Sequence, residues 1–232
     1  MSEKPRIIDF HAHILPCADH GSGGIQTSLE QLALINNAGV DTVVATPHFY
    51  PHIHTVKQFT DTVSSAAEEL CVSAGKRPAL CLGAEVLYYD GIEEMEGLRE
   101  LCIRGTDILM LELPLADWDK NIVYSVKRLT EDHTVLLAHI DRYVETCPEI
   151  IDALISVGAL AQINTSSLFY GSIRKRLSSY ISDGLVYAIG SDLHEVNKKT
   201  YAQFSKAEKK LGEEYLRIME RSEKLLNHAK MI

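Results

Sequence analysis

The feature that most constrains the fold is the alternation of short β-branched runs with longer stretches of helical period along the whole chain. Such alternation indicates an α/β fold with a parallel sheet. Gly39, Gly158 and Gly184 stand where a helix should stop just before a strand, as helix-ending glycines do. The predicted strands are Arg6–His11, Thr42–Thr46, Ala79–Ala84, Ile108–Glu112, Val135–His139, Leu160–Asn164 and Val186–Gly190.

Helical patterns fill the intervals between these runs, and two more close the chain. They cover Thr27–Ala38, Thr55–Ala74, Trp118–Thr130, Glu145–Val157, Ile173–Ser182, Tyr201–Leu211 and Glu213–Lys230. No linker or internal repeat interrupts the pattern, so we expect one domain over residues 1–232. Polar side chains recur at the predicted strand ends, which favours an irregular seven-stranded (β/α) barrel over an open doubly wound sheet.

Composition excludes several classes of protein. Lys+Arg number 23 and Asp+Glu 32 among 232 residues, for a formal net charge of −9, so we expect no nucleic-acid partner. No apolar run approaches the ~20 residues of a membrane span, and the first residues carry no export signal. The five cysteines form no C-x-x-C pair. A cytoplasmic location fits this pattern best.

The chain opens with a histidine pair on a predicted strand. His11 and His13 are two residues apart, so they point to one face about 7 Å apart by Cα rise. Two imidazoles at the carboxyl end of a strand can hold one metal ion. Asp9, on the same predicted face, could orient a histidine as a hydrogen-bond acceptor.

Other strand ends supply further ligands. Because the carboxyl ends of barrel strands meet at one mouth, these side chains should lie close together. Several carboxylates and imidazoles in one concave site would repel or desolvate each other without cations, which predicts more than one metal ion. Mixed imidazole and carboxylate donors suit manganese, iron or zinc. The candidate ligands are His48, Glu85, Glu112, His139, Asp192 and His194.

Arg142 follows His139 by three residues. A guanidinium at this mouth could bind phosphoryl oxygens through its planar fork; the alternative is a surface salt bridge. A bridging carboxylate such as Glu85 between two ions would complete a phosphoryl-transfer site. Of the five cysteines, only Cys71 has an arginine six positions later, Arg77, and Cys71 lies inside the predicted helix Thr55–Ala74. This spacing therefore does not indicate a cysteine-dependent phosphatase loop.

The ordered set of motifs resembles the PHP (polymerase and histidinol phosphatase) family, and within it the tyrosine-protein phosphatases of bacterial capsule and exopolysaccharide operons. The resemblance covers nearly the whole chain. Ala138–Tyr143 is the element most typical of the tyrosine phosphatase branch. The other matching elements are Ile8–Pro16, Thr46–His48, Gly83–Glu85, Gln162–Asn164 and Ser191–His194.

The resemblance implies a distorted seven-stranded barrel of the PHP type with two or three divalent metal ions, manganese favoured over iron and zinc. Arg142 matches the arginine that binds phosphate. By position, the first ion would be held by His11, His13, Glu85 and Asp192. The second ion would be held by Glu85, Glu112 and His139. The third ion would be held by His48, His194 and the residue before Gly21.

The chain departs from the family pattern at two places. The family usually has two aspartates before the glycine that matches Gly21, whereas this chain has Asp19 and His20. Either His20 ligates the third ion, or Asp19 shifts in, or the third site is weak; we favour His20 as the ligand. A second arginine after the Ser-Asp-x-His element is also missing, and Lys198 and Lys199 stand near its place.

These features predict a metal-dependent phosphomonoesterase that hydrolyses phosphotyrosine in a protein, such as a bacterial tyrosine kinase, in the regulation of polysaccharide synthesis. Arg142 would stabilise charge on the phosphoryl group, and Asp19 is a candidate proton donor. Three alternatives remain open: a phosphatase for a small ester such as histidinol phosphate, a catalytically silent PHP binding module, and an amidohydrolase-like enzyme. A homo-oligomer is also left open.

Overall fold

The computed structural model describes residues 4–74, 78–115, 118 and 121–231. The strands are β1 (Ile8–Ala12), β2 (Thr42–Ala45), β3 (His48–Phe49), β4 (Ala79–Leu82), β5 (Glu85–Leu87), β6 (Ile108–Glu112), β7 (Thr134–Leu137), β8 (Leu160–Asn164) and β9 (Val186–Gly190). The α-helices are α1 (Ile25–Asn37), α2 (Val56–Ser73), α3 (Ile122–Asp132), α4 (Pro148–Ser156), α5 (Gly171–Ser182), α6 (Lys198–Leu211) and α7 (Glu213–Leu225).

The strands form two parallel sheets. One has the order β1-β2-β4 and the other the order β3-β5-β6-β7-β8-β9. Beyond the end of β9, the chain crosses to β1, since the Asp192 N–H donates to the His11 carbonyl at 2.8 Å and the His13 N–H donates to the Leu193 carbonyl at 2.9 Å. These contacts bring the first and last strands side by side, together with the candidate ligands at their ends.

The prediction of an α/β fold with parallel strands is confirmed, but a seven-stranded barrel is not. The described residues form nine strands in two sheets. The difference arises because two predicted strands are each followed by a further short strand, β3 after a break at residues 46–47 and β5 after a break at residues 83–84. Pro47 has no N–H to donate to a ladder, which explains the first break. The predicted helices are present, although part of the segment before Ile122 lies outside the described residues.

Two buried clusters hold the strands in place. The smaller cluster takes side chains from alternate strand positions, among them Phe10, Val44, Met110 and Leu136. The larger cluster packs the other strand faces against the helices. Because each strand is buried on both faces, the strands contain nearly continuous apolar runs, as expected for a parallel sheet. Among the described residues, no helix has the length and apolar character to cross a membrane.

Candidate metal centre

Glu85 lies at the centre of the predicted ligands. It is the first residue of β5 and is fully buried. Its Oε1 lies 2.7 Å from His139 Nε2. Its Oε2 lies 3.0 Å from His48 Nδ1, 3.1 Å from His11 Nε2 and 3.2 Å from His13 Nε2. One carboxylate therefore contacts four imidazoles from three different segments, which is the arrangement a bridging ligand requires.

Two further carboxylates flank Glu85. Asp192 Oδ1 lies 3.5 Å from His13 Nε2 and 3.7 Å from His11 Nε2. On the other side, Glu112 lies 3.6 Å from His48 Nδ1 and 3.7 Å from His139 Nε2. The carboxylates at the end of β6 and just after β9 thus lie close to the histidines that contact Glu85.

An unusual backbone conformation sets the direction of two candidate ligands, His139 and Asp192. His139 and Asp192 have positive φ values of 31° and 52°, a region that non-glycine residues rarely adopt. Each residue follows the end of its strand, so the left-handed turn redirects its side chain relative to the strand's alternation. Such conformations are costly and concentrate at functional sites.

Asp19 fixes the orientation of His13. Its Oδ2 lies 2.6 Å from His13 Nδ1 and accepts the backbone N–H of His48 at 2.9 Å. Its Oδ1 accepts the Gly21 N–H at 2.8 Å. Although burial alone would raise the pKa of Asp19, the His13 contact and these N–H donors hold that pKa well below its usual range. Asp19 is therefore an ionised acceptor that leaves the Nε2 of His13 facing Glu85 and Asp192.

Gln162 supports the histidines from the opposite side. Its Oε1 accepts the backbone N–H of His139 and lies 3.5 Å from His11 Nδ1. Two glycines permit the close packing around the pair: a Cβ on Gly21 would lie 2.3 Å from the His13 Cβ, and one on Gly190 would lie 2.5 Å from the His11 Cβ. Any other residue at these positions would displace a candidate ligand.

Arg142 lies at the edge of the centre, in a 3-10 helix that spans Ile140–Arg142. Its Nη1 donates to Glu112 Oε1 at 3.2 Å and its Nη2 to Asp192 Oδ2 at 2.7 Å. Asn164 Nδ2 also donates to Asp192 Oδ2, at 2.9 Å. The Arg142 side chain keeps 35% of its surface exposed, so a guanidinium anchored by two carboxylates still faces solvent at the open side.

A group of imidazoles lies beside this carboxylate-rich part. His48 Nε2 is 3.2 Å from His194 Nε2. The exposed His20 stacks its ring on both, with centroids 4.7 Å from His48 and 4.8 Å from His194. Tyr50 stacks on His48 at 5.1 Å. Burial lowers the pKa of His48 to about 3, so its ring stays neutral and able to ligate at ordinary pH.

The residues present fit divalent metal ions. In the described part of the chain, four groups of three ligand atoms lie within 4.8 Å of one another. Glu85 Oε2, Asp192 Oδ1 and His48 Nδ1 are buried, and although they lie close to one another or to imidazole nitrogens, none of them has a partner in hydrogen-bond geometry among the described residues. Buried polar atoms normally have one. A cation shared by these atoms would satisfy them. Imidazole nitrogens mixed with carboxylate oxygens suit manganese, iron or zinc.

The structure brings together almost all of the predicted site residues. The four ligand groups contain His11, His13, His48, Glu85, Glu112, His139, Asp192 and His194, with Arg142 bonded to two of them. His20 belongs to none of these groups and only stacks on its neighbours. Lys198 and Lys199 lie exposed in the first turn of α6.

One sequence-based placement is wrong. Asp9 does not support a histidine ring, because its Oδ1 accepts the Ser191 N–H at 2.8 Å and its Oδ2 accepts the Tyr201 hydroxyl of α6 at 3.2 Å. The register between β1 and β2 shifts between Asp9 and Ala12, which breaks the simple alternation along β1. Sequence reasoning included Gln162 in a matching element but missed its role as a support of the histidines; the signals for it are that match and an amide inside an apolar strand.

Comparison with known proteins gives consistent matches. The family model of capsular polysaccharide synthesis proteins CpsB/CapC matches residues 7–227. The tyrosine-protein phosphatase YwqE of Bacillus subtilis (strain 168) is 27% identical over 208 residues, which cover 84% of this chain and 80% of YwqE.

Solved structures share the fold. A chain from the crystal structures of YwqE from Bacillus subtilis and CpsB from Streptococcus pneumoniae, described as metal-dependent tyrosine phosphatases, superposes with a TM-score of 0.76 at 20% identity, covering 97% of this chain and 96% of that chain. The lactonase Lmo2620 from Listeria monocytogenes is more distant, with a TM-score of 0.53 at 10% identity, covering 96% and 92%.

Proposed function

The chain belongs to the CpsB/CapC family of capsular polysaccharide synthesis proteins, and we propose that it is a metal-dependent phosphatase acting on phosphotyrosine in proteins. The observation that carries this proposal is the position of Glu85, in contact with four histidines and flanked by two carboxylates, with Arg142 at the exposed edge. The substrate class is supported by the relatives, YwqE and CpsB, which are tyrosine phosphatases.

The metal ions would be held as the family resemblance implies. His11, His13, Glu85 and Asp192 would bind the first ion, Glu85, Glu112 and His139 the second, and His48 with His194 and His20 the third. When bound, two or three divalent ions, manganese in preference to iron or zinc, would supply Lewis-acid charge and an activated water. The fully buried Glu85 would be the shared ligand, because its two oxygens face different histidines.

Arg142 would receive the phosphoryl group. Its planar fork matches two phosphoryl oxygens, and its carboxylate partners, Glu112 and Asp192, fix the guanidinium at the open side of the centre. A positive charge placed in advance of the reaction stabilises the charge that develops on those oxygens in the transition state. Because both ion pairs of Arg142 lie at the metal centre, they support this role over the surface salt bridge that sequence alone left open.

Asp19 would act as a positioning residue. Both of its oxygens already accept hydrogen bonds, and its lowered pKa keeps it ionised. These contacts favour the orientation of His13 over the proton donation that the sequence suggested. The phenolate that leaves from phosphotyrosine has an ordinary pKa of about 10, so the reaction requires little assistance from a protein acid.

The proposal is tested by comparing two substrates before and after metal removal. We expect a phosphotyrosine peptide to be hydrolysed with at least about tenfold higher kcat/KM than histidinol phosphate, a preference worth about 1.4 kcal/mol. Exhaustive chelation should abolish activity and manganese should restore it. Preference for histidinol phosphate would support the small-ester alternative, and no hydrolysis of either ester by manganese-loaded protein would support a silent binding module.

A further inference from the structure

The aromatic side chain of Tyr50 lies at the centre, beside the candidate ligand His48. The two rings stack, with centroids 5.1 Å apart and an angle of 15° between their planes. Tyr50 is half-buried, so part of its ring remains in contact with solvent. A partly exposed aromatic ring beside a proposed metal ligand is available for contact with an apolar group of the substrate.

The short strand β3 explains why Tyr50 faces the centre. Side chains alternate along a strand, so His48 and the residue after the strand, Tyr50, point to one side and Phe49 to the other. Phe49 is buried and packs edge-on against Phe59 of α2, with ring centroids 5.3 Å apart. In the pairing of β3 with β5, His48 lies opposite Glu85. The element that brings His48 to Glu85 therefore also brings Tyr50 to the centre.

The turn that carries Tyr50 is held at both of its ends. At its start, the Tyr50 carbonyl accepts the N–H groups of Ile53 and His54, at 2.9 and 3.0 Å. At its end, Thr55 precedes α2 in a capping box: its hydroxyl accepts the Gln58 N–H, and its own N–H donates to the Gln58 side chain. A ring carried by such a turn loses little freedom when a ligand packs against it.

Tyr50 also lies near the residues at the exposed edge of the centre. His48 Nδ1 is 3.6 Å from Glu112 Oε2, and Glu112 Oε1 accepts from Arg142 Nη1 at 3.2 Å. Burial raises the pKa of Tyr50 to about 12, the Glu112 charge adds to this rise and the Arg142 charge opposes it. Both charges therefore act on the phenol, which shares the open side of the centre with Arg142.

A phosphate carried on an aromatic ring matches these two contacts. The Arg142 guanidinium suits phosphoryl oxygens, whereas the Tyr50 ring offers an uncharged surface to an apolar group. Aromatic pairs prefer offset-stacked or edge-to-face arrangements with centroids about 4.5–7 Å apart. In a phosphoserine side chain, a short alkyl stem carries the phosphate, and it has no ring to pair with Tyr50.

We propose that Tyr50 selects aromatic phosphate esters, because its ring packs against the phenyl ring of the substrate while Arg142 binds the phosphate. The inference rests on the proposed function and deepens it, since it names the residue that distinguishes phosphotyrosine from phosphoserine. Tyr50 determines specificity and takes no part in the transfer of the phosphoryl group.

The test compares two phosphonates that bind but are not hydrolysed, benzylphosphonate and methylphosphonate. Both present the same anionic group to manganese-loaded protein, and only benzylphosphonate carries a ring. By calorimetry, we expect the unsubstituted protein to bind benzylphosphonate about tenfold more tightly than methylphosphonate. Tyr50→Leu should reduce this ratio about fivefold. Tyr50→Phe keeps the ring and should preserve the ratio.

Two controls separate ring recognition from damage to the centre. Methylphosphonate affinity and bound metal are measured in every variant, because Tyr50 also packs on His48. Tyr124→Leu is the matched substitution, since it removes a ring that is 62% exposed on α3, and it should retain the full ratio. The inference is overturned if Tyr50→Leu keeps the ratio of the unsubstituted protein, or if Tyr124→Leu lowers that ratio equally.

Two further results would also overturn it. If Tyr50→Leu weakens the binding of both phosphonates alike, Tyr50 only supports His48. If Tyr50→Phe acts like Tyr50→Leu, the hydroxyl group and not the ring makes the contact.

Turnover of a phosphotyrosine peptide provides a second measurement. Tyr50→Leu should raise its KM about fivefold, and the loss should appear in KM rather than in kcat, because the ring contact is the same in the ground state and the transition state. Failure of the proposed function would look different, since manganese-loaded protein would then not hydrolyse the peptide, whatever the ratio of the two phosphonates.

Discussion

The inner and outer parts of the centre differ in what holds their side chains. The inner cluster, defined as His11, His13, Glu85, His139 and Asp192, is buried, with at most 8% of any of these side chains exposed. The outer cluster, defined as His20, His48 and His194, contains only imidazoles and opens toward solvent, with 26% of the His194 side chain exposed. Buried charge dominates one part and ring stacking the other.

The difference follows from the supporting contacts. In the inner cluster, Asp19 holds His13, Gln162 holds the backbone of His139, and Asn164 bonds Asp192. In the outer cluster, His20 is held by stacking on two neighbouring rings. Ligands fixed by hydrogen bonds lose little freedom when a metal binds, whereas stacked exposed rings lose more. We therefore expect the inner cluster to bind metal tightly. The outer cluster, whose donors are all imidazole nitrogens, should bind metal more weakly.

The largest expected effect on metal content and activity comes from removing the charge of Glu85, whose carboxylate contacts the histidines of the inner cluster. Although burial alone would raise the pKa of Glu85, the adjacent His11, His13 and His139 hold it well below its usual range, so the carboxylate is ionised. Glu85→Gln keeps the shape and removes that charge. We expect most of the bound metal to be lost and kcat/KM to fall by about 10³-fold or more.

Elemental analysis and hydrolysis of p-nitrophenyl phosphate measure these two losses. The matched control is Glu96→Gln, which removes the same charge from an exposed residue and should change neither. Full metal content in Glu85→Gln would show that the inner cluster does not depend on a bridging carboxylate.

A smaller effect on kcat/KM is expected from Arg142, which lies between the inner cluster and solvent. Arg142→Lys keeps the positive charge but loses the planar fork, so kcat/KM should fall by about 10²-fold. Because Arg142 is not a ligand, metal content should stay unchanged. Arg128→Lys on the exposed face of α3 is the control. Parallel loss of metal and activity in Arg142→Lys would instead assign Arg142 to the assembly of the centre.

The contact that links the two clusters gives the third prediction. Asp19 accepts from the His13 ring and from the backbone of His48. Asp19→Asn weakens both contacts and should reduce metal affinity by about 10- to 100-fold. Excess manganese should restore most of the activity, which distinguishes a positioning residue from a proton donor. A loss of kcat that persists at saturating metal would restore the proton-donor hypothesis.

The sequence predicts which residues meet at the centre better than it predicts how their side chains are directed. The alternating pattern located the strands, and the rule that parallel strand ends converge identified Glu85, Glu112 and His139 as neighbours. The sequence could not show the register shift in β1 that turns Asp9 toward α6, nor the positive φ of His139. Both depend on packing between distant segments, which local propensity does not encode.

The outer cluster offers the smallest and most specific prediction. His20 stands where the family resemblance implies an aspartate, so the proposed third site would lack a carboxylate of its own. Imidazole-only sites favour zinc over manganese, since manganese prefers oxygen ligands. His20→Asp should therefore raise manganese affinity at this site about fivefold, while His20→Ala should lower the metal bound per chain.

Elemental analysis after dialysis against limiting manganese or zinc measures both variants, and the inner cluster serves as the internal standard because its affinity should not change. If His20→Asp and His20→Ala both leave the metal content unaltered, His20 is a stacking residue of the rim, and the outer cluster consists of His48 and His194 alone. If His20→Asp raises the manganese content and His20→Ala lowers it, the His20 ring is a metal ligand. This chain then uses a neutral imidazole in place of a carboxylate at the outer cluster.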